Sequence, residues 1–262
     1  MLAPAGLALG YLTALRDPVV REARVSLPDF PQGMRPLRLL LASDIHVGGP
    51  DMVPERLARI VEQINALEPD LILLAGDFIS DKQVLAWSYS YDEAMRPLGR
   101  LRAPLGTIAV LGNHDHWNDA AAARRALAAA GVTILSNEAT RIGPLAIGGL
   151  DDDYTQQADL VRTVSRMRAI GGIPVVLSHS PDPFADLPSG VPLMLAGHTH
   201  CGQIAFPIVG AITYESRHGS RYGCGRVDEP GRTLFVGAGL GTSVLPLRLW
   251  AVPDMWLIEI GS

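Results

Sequence analysis

Five short apolar runs in this chain end alike: a small residue, then one or more side chains able to bind a metal ion. Residues 37–42 lead into Ser43-Asp44-Ile45-His46, 70–75 into Gly76-Asp77, and 105–111 into Gly112-Asn113-His114-Asp115. Residues 173–177 lead into Ser178-His179, and 191–196 into Gly197-His198-Thr199-His200. Runs this short and this continuously apolar predict strands buried on both faces, as in an α/β sheet covered by helices. Such sheets place their ligands just beyond the strand ends. Of the seven histidines, His46, His114, His179, His198 and His200 fall at these ends. Core histidines have no reason to gather there beside Asp and Asn.

The donors are oxygens and imidazole nitrogens, without a thiolate. That set suits manganese first, with zinc, iron or cobalt as alternatives, in an open site rather than a closed structural zinc. Asp44, His46, Asp77, Asn113, His179, His198 and His200 together exceed what one ion with an open position needs. They suit two divalent ions about 3.5–4 Å apart. Asp77 is the natural bridge, because a carboxylate can touch both.

Between these runs, Leu57, Ile60, Val61, Ile64 and Leu67 predict a helix over 54–67, with Pro54 suited to its first turn. Helices are also expected near 91–98, over 119–130 and over 160–170. Gly112-Asn113-His114-Asp115 reads as the turn before the helix at 119. Residues 21–27 alternate as an edge strand does. Short strands are expected at 132–135, 139–142 and 145–150, and near 221–227, 233–236 and 256–260. No repeat or linker divides the chain, so residues 16–262 read as a single catalytic domain.

Hydrophobic residues make up 48% of the sequence and charged residues 19%, enough for a substantial core. The net charge of -5 argues against broad nucleic-acid binding. Cys201 and Cys224 cannot form a disulfide framework; Cys201 reads as a small packing residue, with pairing to Cys224 in an oxidising compartment as the alternative.

Residues 1–15 carry no charged side chain and are followed by Arg16, Arg21 and Arg24. As a helix they would reach about 22 Å, short of a bilayer core of about 30 Å. Three readings fit: a short anchor, the end of a longer span, or a helix docked on the domain. The lack of a polar face favours anchoring, and the arginines then favour a domain on the cytoplasmic side.

Taken as a set, the five strand-end motifs resemble the signature blocks of calcineurin-like metallophosphoesterases. The resemblance implies an α/β fold, a two-sheet β-sandwich flanked by helices in four αββα layers, with both metals at the sheet ends. It assigns Asp44, His46 and His200 to one ion and Asn113, His179 and His198 to the other, with Asp77 between them. It makes His114 the catalytic acid, oriented by Asp115. His198-Thr199-His200-Cys201-Gly202-Gln203 and Gly239-Leu240-Gly241-Thr242-Ser243 with Leu245-Pro246-Leu247-Arg248 are similar to a bacterial, often membrane-anchored branch. That branch includes enzymes similar to UDP-2,3-diacylglucosamine hydrolases of lipid A synthesis and often has glycine where Cys201 stands.

The expected activity is therefore hydrolysis of a phosphodiester or pyrophosphate. A lipid-linked nucleotide is the favoured substrate, because the anchor-like segment accompanies apolar stretches at 204–209 and at Trp87, Tyr89 and Tyr91. Arg248 is a candidate phosphate clamp. His116 reads as a residue behind the site or at the surface, and His218 as a loop residue. The alternatives are an envelope or nucleotide phosphodiesterase without a lipid substrate, and a metal-bound scaffold without turnover. The intact His114-Asp115 pair argues against the scaffold.

Overall fold

Leu71–Ala75 shows why the apolar runs are unbroken: Leu71, Leu73 and Ala75 face one core and Ile72 and Leu74 another. In the computed structural model, which describes residues 4–262 apart from 83, 85 and 207–209, the chain builds two six-stranded sheets. Pro207–209, in the apolar stretch noted above, and residues 1–3 thus lie outside the described residues.

The first half runs α1 (Pro4–Ala14), β1 (Val19–Ser26), β2 (Leu37–Ala42), α2 (Pro54–Ala66), β3 (Leu71–Ala75), α3 (Tyr91–Met95), β4 (Thr107–Val110), α4 (Asn113–Asn118), α5 (Ala120–Ala129) and β5 (Thr133–Ile134). The second half runs β6 (Glu138–Ile142), β7 (Leu145–Gly149), α6 (Leu160–Ile170), β8 (Ile173–Leu177), β9 (Leu193–Ala196), the short pair β10 (Ala205–Phe206) and β11 (Gly210–Ala211), β12 (Gly225–Glu229), β13 (Arg232–Val236) and β14 (Asp254–Gly261). One sheet has the order β1-β14-β2-β3-β4-β5 and the other β12-β13-β9-β8-β7-β6. β2 to β5 are parallel, as are β7, β8, β9 and β13. Parallel neighbours bring the ends of β2, β3 and β4 to one edge, and the ends of β8 and β9 to the same edge of the partner sheet.

Three cores make the four layers. Leu39, Leu41, Leu73 and Val110 meet Ile147, Val175, Leu195 and Phe235 between the sheets. The outer face of the first sheet is covered by Leu57, Ile60, Ile64 and Leu127 from α2 and α5. The outer face of the second sheet is covered by Val164 and Met167 of α6. This is the αββα sandwich expected from the sequence. Burial of each fully enclosed Leu or Ile contributes roughly 1.5–3 kcal/mol, and the inter-sheet layer is built almost wholly of them.

Two local expectations change. Residues 113–118 form α4 rather than a turn, because the Asp115 carboxylate accepts the Gly112 N–H and closes the first helical turn. Cys201 and Cys224 are disulfide-bonded, with Cα atoms 4.7 Å apart. This is the pairing given above as the alternative to packing; a Thr199 Oγ1–H bond to the Gly223 carbonyl brings the two segments together across 23 positions of chain.

α1 docks on one side only. Gly10 faces Leu247 and Leu249, and its carbonyl accepts the Arg248 N–H at 2.9 Å. Leu7, Leu9 and Leu12 on its other side are exposed. Among the described residues no helix is long and apolar enough to cross a membrane.

Candidate metal centre and active site

The end of β2 turns inward and delivers Asp44 and His46, where the loop after β9 delivers His200. His46 Nε2 lies 3.1 Å from His200 Nε2, and His200 Nε2 lies 3.5 Å from Asp44 Oδ1. All three side chains are buried. Across from them, His179 from the end of β8 and His198 from the end of β9 meet Asn113 at the start of α4. His179 Nε2 is 3.0 Å from Asn113 Oδ1 and 3.1 Å from His198 Nδ1. The other ring nitrogen of His179 donates to the Ala75 carbonyl at 2.7 Å, which leaves Nε2 as an acceptor.

Asp77 joins the two clusters through one atom. Its Oδ2 lies 3.5 Å from His46 Nε2, 3.2 Å from His179 Nε2 and 3.9 Å from His114 Nε2. Its Oδ1 accepts the His114 N–H at 2.9 Å, so the carboxylate cannot swing away. Burying this many polar groups together is very unfavourable unless a cation lies among them. Asp44–His46–His200 and Asp77–His179–His198 each bring their ligand atoms within 4.8 Å of one another, which fits two ions around a shared carboxylate.

The backbone is forced into this arrangement. Asp44, His46, Asp77, His198 and His200 all have φ between 49° and 70°. That region is uncommon for side-chain-bearing residues, and each such position stores about 1–3 kcal/mol where the surroundings over-determine it. Two glycines permit the close approach. A Cβ on Gly112 would collide with Asp77 Oδ1 and His179, and one on Gly197 with Ser43 and Asp44.

The electrostatics separate the groups. Burial pushes the Asp44 carboxyl up to about 6. Burial also pushes His46 and His200 well below the usual imidazole range, with the charges of His114 and Lys82 adding to the effect at His46 and those of His46 and Arg248 at His200. These two rings are thereby kept neutral, the form that ligates metal. His114 behaves oppositely. Burial opposes its charge, but the Asp81 hydrogen bond and the nearby Asp77 outweigh it and raise its pKa.

Asp81, not Asp115, faces the His114 ring: Asp81 Oδ1 lies 2.5 Å from Nδ1. The carboxylate of Asp115 points the other way. It accepts the backbone N–H groups of Asp77, Phe78 and Gly112 at 2.9–3.0 Å and lies 3.4 Å from the Tyr91 hydroxyl. Asp115 follows His114 in the chain, yet on a helix successive side chains diverge, so adjacency misled the sequence reading. A carboxylate four positions past Asp77 was the available signal for Asp81.

Arg248 is also placed differently from the expectation. It is fully buried, and its guanidinium donates to the carbonyls of Gly241, Ala238, Gly239 and Ala251 while Nη2 lies 3.2 Å from His200 Nδ1. Its donors are spent on the glycine-rich loop, so it braces the first cluster from behind and does not reach a phosphate. His116 is half-buried, with Nε2 2.8 Å from Asp151 Oδ1, and ties α4 to the end of β7. His218 sits in a turn against Tyr222. Tyr91 is buried and Trp87 packs over Gly49; neither borders the site.

A cavity of about 430 Å³ opens over Asp77, His114 and His198. Trp117 and Tyr154 form one wall, with ring centres 5.0 Å from His114 and 4.9 Å from His198, respectively. Ile204, Ile212 and Val244 form the other.

This fold and these clusters define a metal-dependent hydrolase of phosphoester bonds. Residues 37–202 match the calcineurin-like phosphoesterases, and the chain belongs to that family. It is 30% identical to the uncharacterized metallophosphoesterase YkuE of Bacillus subtilis over 98% of this chain and 91% of that one. It is 30% identical to the phosphodiesterase YaeI of Escherichia coli over 96% of this chain and 92% of that one. A bovine transmembrane protein with a metallophosphoesterase domain is 31% identical over 92% of this chain and 56% of its own length. Among solved structures, the NAD nucleotidase of Haemophilus influenzae shares the fold, with a TM-score of 0.50 and 13% identity over 78% of this chain. The chain spans about half the length of such structures, covering 45% of that one.

Proposed function

We propose that this protein is a two-metal phosphodiesterase. One ion would be held by Asp44, His46 and His200 and the other by Asn113, His179 and His198, with Asp77 shared between the two groups. Manganese is the ion we assign, from the mixed oxygen and imidazole donors. When bound, such ions neutralise phosphate oxygens and acidify a water. The observation that carries this reading is the single Asp77 oxygen within 3.5 Å of a histidine from each cluster.

His114 stands beside that oxygen with its Nε2 toward the cavity and its Nδ1 held by Asp81. It is placed to protonate the leaving oxygen. In hydrolysis the water oxygen bonds to phosphorus and gives up a proton to solvent, the bond to the leaving oxygen breaks, and that oxygen keeps the electron pair and takes the His114 proton, which solvent then restores. Asp115 acts through the backbone, fixing the turn that carries Asp77 and the helix that carries His114. No covalent intermediate with the chain is required.

The substrate we propose is a lipid-linked phosphoester, either a phosphodiester or, as the sequence resemblance suggests, the pyrophosphate UDP-2,3-diacylglucosamine. Support comes from the apolar wall of Ile204, Ile212 and Val244 and from the exposed leucines of α1. The α1 segment would hold the domain of residues 16–262 to a membrane; Arg16, Arg21 and Arg24 favour its cytoplasmic face, whereas the Cys201–Cys224 bridge favours an oxidising side. The name of the bovine relative is in keeping with a membrane setting. YaeI, described simply as a phosphodiesterase, favours the second reading, a diesterase without a lipid requirement.

The test is turnover by metal-stripped protein reloaded with manganese, zinc, cobalt or magnesium. The substrates are bis-p-nitrophenyl phosphate, p-nitrophenyl phosphate and UDP-2,3-diacylglucosamine. Release of UMP and lipid phosphate far faster than diester cleavage supports the lipid reading. Diester cleavage alone supports the second. Two bound ions with no turnover of any ester would contradict both and leave a scaffold.

A further inference from the structure

The cavity contains an electrostatic omission. None of its described lining residues is Lys or Arg, and its one charged group away from the metal clusters is Glu215, an acid at the mouth. The nearby cations are engaged elsewhere. Arg217, on the far side of Glu215, lies 2.9 Å from Asp153 and 3.2 Å from Asp182. Lys82 is buried 3.1 Å from Asp51, and Arg248 is buried among carbonyls.

We infer that this cavity selects phosphodiesters bearing one negative charge and an uncharged apolar or aryl arm, and discriminates against phosphomonoesters and pyrophosphates. The inference rests on the two-metal reading above. Two divalent ions against the carboxylates of Asp44 and Asp77 leave two positive charges. The attacking hydroxide takes one and a diester takes the other. A monoester dianion or a pyrophosphate brings a further charge; the one cationic lining group, His114, is already balanced by Asp81, and Glu215 repels the addition. The arm has a matching surface. Trp117 and Tyr154 stand edge to face, 5.9 Å apart, beside His114 and His198, and Ile212 and Val244 face them at 72% and 52% exposure. Aromatic faces and branched apolar side chains hold an aryl or acyl group, and the polar lining groups Thr199, Gln203 and Thr213 already bond to Gly223, Leu245 and Glu215. Within the lipid-linked class this favours a singly charged diester over UDP-2,3-diacylglucosamine.

The experiment has a binding arm and a turnover arm. In the first, manganese-loaded protein is titrated with monoethyl phenylphosphonate, a monoanion, and with phenylphosphonate at alkaline pH, where it is a dianion. The readout is quenching of Trp117 fluorescence, with Trp117→Phe as the blank. The monoanion is expected to bind at least as tightly as the dianion. In the second, kcat/KM is compared for bis-p-nitrophenyl and p-nitrophenyl phosphate in the wild type and in Ile212→Arg, Val244→Arg and Glu215→Gln. Each arginine is expected to raise the monoester-to-diester ratio by roughly two- to fivefold, as one partly screened ion pair can, and Glu215→Gln by about twofold. A dianion that binds more tightly in the wild type overturns the inference, as does a ratio unmoved by either arginine. Silence toward every ester would overturn the hydrolase reading instead, and the titration would still decide the charge selectivity.

Discussion

The floor and the rim of this cavity are built on opposite principles. The floor is five strand ends, buried, with five of its seven ligand-bearing residues in left-handed backbone and its glycines at 112 and 197 admitting no side chain. The rim is loop and exposed apolar surface, in which the Ile212 and Val244 side chains stand largely in solvent. The floor is where the chemistry is set, because a displacement there moves several ligands at once. The rim is where selectivity can change without disturbing the fold. Substitutions should therefore fall into two groups, rate losses from the floor and ratio changes from the rim.

The largest rate loss short of losing the metals is expected from His114→Ala. It should lower kcat by roughly 10²–10⁴-fold with both ions retained, as removal of a general acid does. Steady-state kinetics beside metal analysis would check this, and near-normal kcat would remove the role. Next, replacing Cys201 and Cys224 together by serine opens a loop spanning 23 positions directly beside His200. A loss of about 3 kcal/mol is expected from the loop-closure model, read by denaturant unfolding. An unchanged midpoint would show that the bridge does not hold the floor.

A pair of carboxylate substitutions separates holding the ring from holding the backbone. Asp81→Asn should lower kcat about ten- to hundredfold with KM and thermal stability little changed, because Asp81 acts on the His114 ring alone. Asp115→Asn should instead lower stability by about 1–3 kcal/mol, because it disturbs a buried acceptor of three N–H groups. The reverse pattern would restore Asp115 as the partner of His114.

The smallest effect lies far from the site. Arg232, then Tyr222 and Arg221, hold the Glu229 carboxyl down to about 2. A depressed carboxylate stabilises the fold above its unfolded pKa, and that contribution fades as pH falls from about 4.3 toward 2. Glu229→Gln should thus lower the melting temperature slightly at neutral pH, with the difference closing in acid. For a group this close to the surface, screened by solvent, the expected loss is under about 1 kcal/mol.

The floor was legible in the sequence because each of its parts is local: an apolar run, a small residue and a ligand at a fixed offset. The helices over 54–66 and 160–170 were legible for the same reason, from apolar spacing and flanking Pro or Gly. What escaped was set by contacts across the chain. Asp81 finds His114 from a different loop, and Arg248 looks like a free cation until 238–241 fold over it. The Cys201–Cys224 pair depends on a turn with no apolar pattern. α1 defeats a choice between docked and free, since Gly10 packs while Leu12 does not.

The shared Asp77 oxygen is the centre of the account, and metal binding to Asp77→Asn tests it directly. Stripped wild-type protein and the variant would be titrated with manganese by calorimetry, with bound metal counted by elemental analysis. Two ions per wild-type chain are expected. In the variant at least one ion should be lost and the other weakened, with turnover reduced by several orders of magnitude. A folded Asp77→Asn protein that still binds two ions at wild-type affinity would contradict the claim that this carboxylate joins the two halves of the site.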